Sequence, residues 1–363
     1  MTFIVVNFIF IILIFLISAV IARILIPRIL LISLRKKLFD IPDDRKVHKR
    51  AIPRLGGVSF FPTTLFAFCL VYTFRLLGGD SVSTLYASYL LPELLLFACG
   101  MTLLYLTGIA DDLVGVRYRQ KFVIQIFCAC LFPLSGLWIN DLYGLFGIHE
   151  LSVYVGIPFT ILTVVFITNA INLIDGIDGL ASGLSSVALL IFTFLFIEKG
   201  LWSYAMLAAG TFGVLVPFFY YNVFGSVERA RKIFMGDTGS LTLGYTLSFL
   251  AIKYSQHNAD IMPYTEGAFI IAFSTMIIPA FDVVRVREGH SPFEPDKNHI
   301  HHKLLAIGLS PRKAMLSLLF MSCSFSAANI LLVPDVNNTV LLVADIVIWI
   351  GLNLWWDYLR DKK

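Results

Sequence analysis

Eleven stretches of this chain are apolar for long enough to cross a lipid bilayer, and that pattern leaves little room for a soluble fold. They lie near 3–26, 56–74, 89–110, 122–139, 155–172, 180–197, 203–222, 239–254, 266–284, 313–333 and 339–356. A hydrocarbon core takes about 20 residues of helix, and tilt or local thinning accommodates shorter runs. Backbone polar groups in lipid must be satisfied within the spanning segment, so the expected architecture is an all-α polytopic membrane protein of about 11 transmembrane helices. Composition agrees: 58% of the 363 residues are hydrophobic, 14% are charged, and the mean hydropathy is +0.83. One integral membrane domain over residues 1–363 is expected. The first run, from Phe3 to Ile26, is too long for a signal-peptide core and has no basic head before it, so it reads as a retained span. Cys69, Cys99, Cys128, Cys130 and Cys323 all fall inside apolar runs, which excludes a disulfide framework or a zinc ribbon.

Charge divides the connections by side. Those after runs 1, 3, 7 and 9 carry most of the Lys and Arg, including Arg54, Arg117, Arg119, Lys121, Arg229, Arg231, Lys232 and Lys303, and the tail adds Arg360, Lys362 and Lys363. Connections of the other parity offer only Arg75, Lys199 and Lys253. Short cytoplasmic loops retain positive charge, so the N-terminus is expected outside and the C-terminus in the cytoplasm. That parity puts every polar motif at one face of the membrane, where charge is cheaper than at the bilayer centre.

Four motifs and one basic loop hold the chemistry. In N-A-I-N-L-I-D-G-I-D-G, residues 169–179, the side chains Asn169, Asn172, Asp175 and Asp178 recur every third residue, so neighbouring pairs share a helix face. Gly176 and Gly179 interrupt the helix and would let backbone approach a ligand. The stretch is either a site for a hard cation and nucleotide hydroxyls or a polar loop between spans. Asp111 and Asp112 end the third run; adjacent carboxylates want a cation, a shared proton or a metal, and salt bridges to nearby Arg would serve equally. In F-M-G-D-T-G-S, residues 234–240, Thr238 and Ser240 would cap a helix whose N–H groups are left for an anion, with Asp237 placed to hold a metal; a plain capped helix start fits the same letters. In N-H-I-H-H, residues 298–302, helical spacing puts His299 and His302 on one face with His301 pointing away. The histidines suit hydrogen bonds to phosphate or sugar better than zinc, since no H-E-x-x-H spacing exists. The basic loop Arg45 to Gly57 either holds its side of the membrane against anionic headgroups or lends cations to a phosphate at the bilayer edge.

Together, A-D-D-L-V-G at 110–115, N-A-I-N-L-I-D-G-I-D-G-L-A at 169–181, F-M-G-D-T-G-S at 234–240 and H-I-H-H at 299–302 resemble the polyprenyl-phosphate N-acetylhexosamine-1-phosphate transferase superfamily. The likeness is to the bacterial undecaprenyl-phosphate N-acetylglucosamine-1-phosphate transferases that start O-antigen, enterobacterial common antigen or teichoic acid linkage. It implies an 11-helix bundle in the bacterial inner membrane with a cytoplasmic active site. The implied reaction moves a sugar-1-phosphate from a UDP-N-acetylhexosamine to undecaprenyl phosphate with release of UMP, an early step of cell-wall or lipopolysaccharide biogenesis. By that resemblance Asp237 and Asn172 would hold Mg²⁺, or Mn²⁺ in its place, and Asp175 and Asp178 would lie around the nucleotide. Asp111 and Asp112 would face the lipid phosphate, one as a base. Lys121 would contact the pyrophosphate, and His299, His301 and His302 the donor's phosphates or sugar. Where many relatives carry a further acid after the Asp pair, this chain has Gly115 and Val116, so no third acid is carried over. Membrane lipids are expected partners, nucleic acid is not, and a homodimer is compatible with the sequence. The alternative from another class is an ion-coupled transporter using its intramembrane acids; the absence of an internal repeat weighs against it.

Overall fold

Helices form where the sequence runs apolar. The computed structural model describes residues 2–40, 52–78, 84–259, 262–283 and 299–362. In chain order the helices are α1 (Thr2–Lys36), α2 (Phe60–Leu77), α3 (Thr84–Val114), α4 (Tyr118–Leu134), α5 (Val153–Ile174), α6 (Leu180–Glu198), α7 (Trp202–Val223), α8 (Gly236–Ser255), α9 (Ala268–Ser274), α10 (Ile277–Val283), α11 (Ile300–Ala306), α12 (Pro311–Leu332) and α13 (Asn338–Asp361). The protein is an all-α, multi-pass membrane protein. Among the described residues eight helices are long and apolar enough to cross a bilayer: α1, α2, α3, α5, α6, α7, α12 and α13. The expected count of 11 is not reached on that measure. α4 is 17 residues long, α8 is rich in Gly, Ser and Thr, and the ninth apolar run is broken into α9 and α10 of seven residues each.

α8 can be polar because it never meets lipid. Nearly every residue from Thr238 to Ser255 is buried, enclosed by α3, α5, α6 and α9. Four of its hydroxyls are satisfied within the helix: Thr242 donates to the Thr238 carbonyl, Thr246 to Thr242, Ser248 to Gly244 and Ser255 to Ala251, at 2.7 to 2.8 Å. Helix association in lipid relies on close packing of small residues and on polar contacts, since lipid tails are as apolar as Leu. The lipid-facing helices show the opposite surface, with Ile9, Ile12, Leu16, Val20 and Ile24 of α1 exposed.

The two ends of α8 are fixed differently. At its C-terminal end Lys253 pairs with Glu93 of α3 at 2.8 Å, with the side chains 1% and 3% exposed, and Tyr204 of α7 donates its hydroxyl to the other Glu93 oxygen. The hairpin of β3 (Asp141–Leu145) and β4 (Ile148–Glu150) closes over this end, where the Tyr143 hydroxyl donates to the Ser255 carbonyl at 3.0 Å. At its N-terminal end, β1 (Phe39–Asp40) pairs with β2 (Ile52–Pro53), and the chain then runs alongside residues 234–235. Phe234 N–H donates to the Pro53 carbonyl at 2.7 Å, Gly56 N–H to Phe234 at 2.9 Å and Gly57 N–H to Met235 at 2.8 Å. Gly57 has to be glycine: a Cβ there would sit 2.2 Å from the backbone of Gly239.

Candidate active site

Every described residue of the sequence motifs lies at the helix ends on the N-terminal side of α8. They close α3 and α5, open α4 and α6, and begin α11. The connections 41–51 and 284–298, with Arg45 to Arg50 and the P-F-E-P-D-K stretch, lie outside the described residues.

Asp237, in the first turn of α8, is the hub. One carboxylate oxygen accepts from Lys121 Nζ at 3.0 Å and from Asn172 Nδ2 at 2.6 Å; the other accepts from Arg54 Nη2 at 3.2 Å. Four segments thus meet on one side chain, which is 15% exposed. Charge-assisted contacts of this kind are the strong members of a hydrogen-bond network. The Asn172 amide also donates to Ser240 Oγ at 2.7 Å.

Among the described residues Asp111 and Asp112 do not share a partner. Asp112, its side chain fully buried, takes the N–H groups of Asp237 at 2.8 Å and Thr238 at 3.0 Å and the Thr238 hydroxyl at 2.6 Å. It caps α8 from another helix. The expectation that Thr238 and Ser240 would cap this helix and leave its N–H groups for a substrate anion is therefore wrong: the anion is Asp112, favoured there by the helix dipole. Asp111 turns instead to Lys121 Nζ at 2.5 Å and to the Val116 N–H at 2.7 Å. The two adjacent carboxylates diverge, Asp111 toward α4 and Asp112 toward α8.

The row Asn169, Asn172, Asp175, Asp178 does not stay on one face, because α5 ends at Ile174. Asn169 pairs with Gln125 of α4 through two amide contacts, at 2.6 and 3.3 Å. Asp178 is ion-paired with Lys232. Burial pushes the Asp175 carboxyl up to about 7 although the residue keeps some accessible surface; the charges of Asp237 and Asp178 act in the same direction and Arg54 opposes them. Gly176 answers a packing need against α11. A Cβ there would lie 2.1 Å from His301 Nε2, so the glycine makes room for that imidazole.

The histidines are also arranged differently from the helical expectation. His299 precedes α11 in extended conformation, so the spacing argument does not hold for it. Its ring stacks parallel to His301 at 5.8 Å, and His301 tilts against His302 at 4.2 Å. His301 is the buried member and the one seated on the Asp175–Gly176 turn, not the one pointing away.

Sequence reading gave too little weight to four residues. Arg54 lies in a basic loop that fits membrane charge and phosphate binding alike, and Lys232 counts in the sequence only toward the charge of its loop. Asn222, at the end of the seventh run, accepts the Gly179 N–H at 2.6 Å and donates to the Ile233 carbonyl at 2.9 Å, joining the α5–α6 turn to the segment before α8. Asp282 bonds His299. A polar side chain at the very end of an apolar run was the available signal for the last two.

Among the described residues no three His, Cys, Asp or Glu side chains cluster closely enough to cage a metal. The donor set fits Mg²⁺ nonetheless, because that ion keeps several waters and is held by one or two carboxylates plus substrate phosphates. Asp237 is one such carboxylate, with Asp175 within its field. Asn172 faces Asp237 with its nitrogen, so ligation would need the amide turned end for end. Beside the cluster, between the end of α3 and the start of α4, opens a cleft of about 550 Å³ lined by Thr107, Ala110, Val116, Arg119, Val123 and Ile124.

Comparison with known proteins gives the family. Residues 94–255, from α3 through α8, match the family model described as glycosyl transferase family 4. The chain is 31% identical over 307 residues to a Bacillus subtilis protein named "probable undecaprenyl-phosphate N-acetylglucosaminyl 1-phosphate transferase", covering 83% of this chain and 79% of that one. It is 29% identical over 331 residues to the undecaprenyl-phosphate alpha-N-acetylglucosaminyl 1-phosphate transferase of Yersinia pestis, covering 89% and 82%. The enzyme of the same name from Escherichia coli K12 is 29% identical over 308 residues, covering 83% and 78%. These likenesses lend no support to the transporter alternative.

Proposed function

The chain belongs to glycosyl transferase family 4, and from that premise we propose that it transfers N-acetylglucosamine-1-phosphate from UDP-N-acetylglucosamine to undecaprenyl phosphate. An oxygen of the lipid phosphate forms a bond to the β-phosphorus of the donor, the bond from that phosphorus to the bridging oxygen breaks, and UMP leaves with the bridging oxygen. The product is undecaprenyl-diphosphate-N-acetylglucosamine, the lipid on which a cell-envelope glycan is built. The observation that carries this reading is the convergence of Arg54 and Lys121 on Asp237 at 3.2 and 3.0 Å, beside an amphipathic cleft open between α3 and α4.

Phosphoryl transfer asks for charge neutralisation and alignment more than for covalent help. Lys121 and Arg54 hold the carboxylates of the resting site, and an arriving diphosphate competes for the same cations. Lys121 serves the phosphate that bridges both substrates, because it already spans Asp111 and Asp237. Bound Mg²⁺, held by Asp237 with Asn172, would supply Lewis-acid neutralisation of the diphosphate. Asp112 keeps Asp237 aimed by pinning the first N–H groups of α8. Asp111 is the acid left to meet the lipid phosphate. A phosphomonoester has a second pKa near 6, so most of the acceptor is dianionic at neutral pH, and orienting it matters more than taking its proton. The apolar cleft floor at Val123 and Ile124 suits the first isoprene units, with Arg119 at the rim for the phosphate.

We place this end of the bundle in the cytoplasm of a bacterial inner membrane, with the N-terminus outside. Externally added thiol reagents should reach a cysteine introduced at Asn337 but not one at Lys232; the reverse reactivity would overturn the orientation. The activity is tested with purified protein in detergent, undecaprenyl phosphate, UDP-N-acetylglucosamine and Mg²⁺. UMP release dependent on the lipid is expected. No UMP, together with ion flux when the protein is reconstituted in liposomes, would restore the transporter reading.

A further inference from the structure

Asp282 belongs to none of the four motifs, yet it is among the most buried acids near the site, 2% exposed at the end of α10. Both of its oxygens are engaged. Oδ1 accepts the Ile300 N–H at 2.8 Å, and Oδ2 lies 2.8 Å from His299 Nδ1. The first contact ties the carboxylate to the backbone of α11. The second contact then fixes the imidazole. A carboxylate accepts and does not donate, so Nδ1 must carry the proton, and Nε2, on the far edge of the ring, is the nitrogen turned away from α10. The ring plane is set independently by the parallel stack on His301, whose own position is set by the notch at Gly176. The in-plane and out-of-plane orientations of His299 thus have separate supports, and the second leads directly to the Asp175–Gly176 turn.

We propose that Asp282 is a positioning residue for the donor: by holding His299 through Nδ1 it presents Nε2 to the diphosphate of a sugar nucleotide. This rests on the reading given under Proposed function. The same carboxylate–imidazole logic orients histidines in metal sites and in hydrolase triads, where the outer carboxylate sets tautomer and direction without touching substrate. A role for Asp282 in merely starting α11 would also explain the Ile300 contact, and the two roles separate experimentally.

The experiment is a double-mutant cycle in the purified full-length protein with Asp282→Asn, His299→Gln and the two combined, measuring KM for UDP-N-acetylglucosamine and for undecaprenyl phosphate, kcat and melting temperature. Asparagine keeps the shape and an acceptor for Ile300 but offers His299 an N–H in place of a lone pair. The expected result is a roughly tenfold rise in donor KM for each single variant, an acceptor KM near that of the parent, and a double variant no worse than His299→Gln alone, because interacting residues are not additive. Additive losses, or an unchanged donor KM in Asp282→Asn, would overturn the proposal. Should Asp282→Asn fail to fold, Asp282→Glu decides: it retains the charge, and its effect on donor KM must again vanish in the His299→Gln background. Absence of turnover in the parent protein would instead refute the transfer reaction itself, so the two failures are distinguishable.

Discussion

The two ends of α8 use the same chemistry to opposite effect. At the C-terminal end one cation meets one carboxylate, Lys253 with Glu93, both essentially sealed from solvent and flanked by Tyr204. At the N-terminal end Arg54 and Lys121 are shared among Asp111, Asp112 and Asp237, and the cationic side chains remain 35% and 18% exposed. A sealed pair, with one cation to one carboxylate among the described residues, acts as a rivet. A shared, partly open cluster can exchange a carboxylate for a phosphate without leaving a charge uncompensated, which is what a site for anionic substrates requires. Burial and stoichiometry, more than the presence of charge, distinguish scaffold from site in this bundle.

The comparison can be broken in several places. Glu93→Gln leaves Lys253 buried without the counter-charge of Glu93 and should cost about 3–5 kcal/mol of stability, read as a lower melting temperature in detergent, while the folded fraction keeps its specific activity; a stable but inactive variant would put the Lys253–Glu93 pair in the reaction. Asp237→Asn should do the reverse, lowering kcat by about 100- to 1,000-fold, as loss of one preorganised electrostatic contact does, with little change in melting temperature. If Asp237→Asn unfolds the protein instead, Asp237 is a second rivet. A smaller effect is expected from pH. The Asp175 carboxyl is raised from its ordinary range to about 7, so in metal-free protein the folded state holds a proton that the unfolded state gives up. Its contribution to stability is present below about pH 4 and is lost as pH rises toward 7, with a slope of at most about 1.4 kcal/mol per pH unit. Asp175→Asn should flatten that slope, and Mg²⁺ should shift it to lower pH; an unchanged profile in both would show that Asp175 does not sense the cluster. Arg54→Ala is expected to have the mildest consequence, about a tenfold loss of kcat/KM with stability intact, because Lys121 still holds Asp237.

Much of the bundle was legible before any coordinates, for a physical reason. Lipid admits a lone spanning segment only when its backbone hydrogen bonds close within that segment, as in a helix, so apolar length alone marks α1, α2, α3, α5, α6, α7, α12 and α13. It found α8 as the run 239–254 but not that this helix is enclosed by protein, and it took the ninth run as one span although the helix breaks at residues 275–276, beside Ser274. The site's members were legible as letters, but their partnerships were not. Asp112 meets Thr238 from 126 residues away and Arg54 meets Asp237 from 183, distances across which spacing carries no information. The separation of Asp111 from Asp112 turns on a single residue's rotation about α3. His299 misled because a residue just before a helix does not obey helical spacing.

The most direct test follows the phosphorus atom. Protein reconstituted in liposomes with undecaprenyl phosphate and Mg²⁺ is given UDP-N-acetylglucosamine labelled with ³²P in the β-phosphate, alongside Asp237→Asn and Glu93→Gln, each scaled to folded protein. Label passing into the lipid phase with one unlabelled UMP released per label transferred, lost in Asp237→Asn and retained in Glu93→Gln, is the expected result. Label that stays in the aqueous phase while sugar reaches the lipid, or a transfer that survives Asp237→Asn and fails in Glu93→Gln, would contradict it.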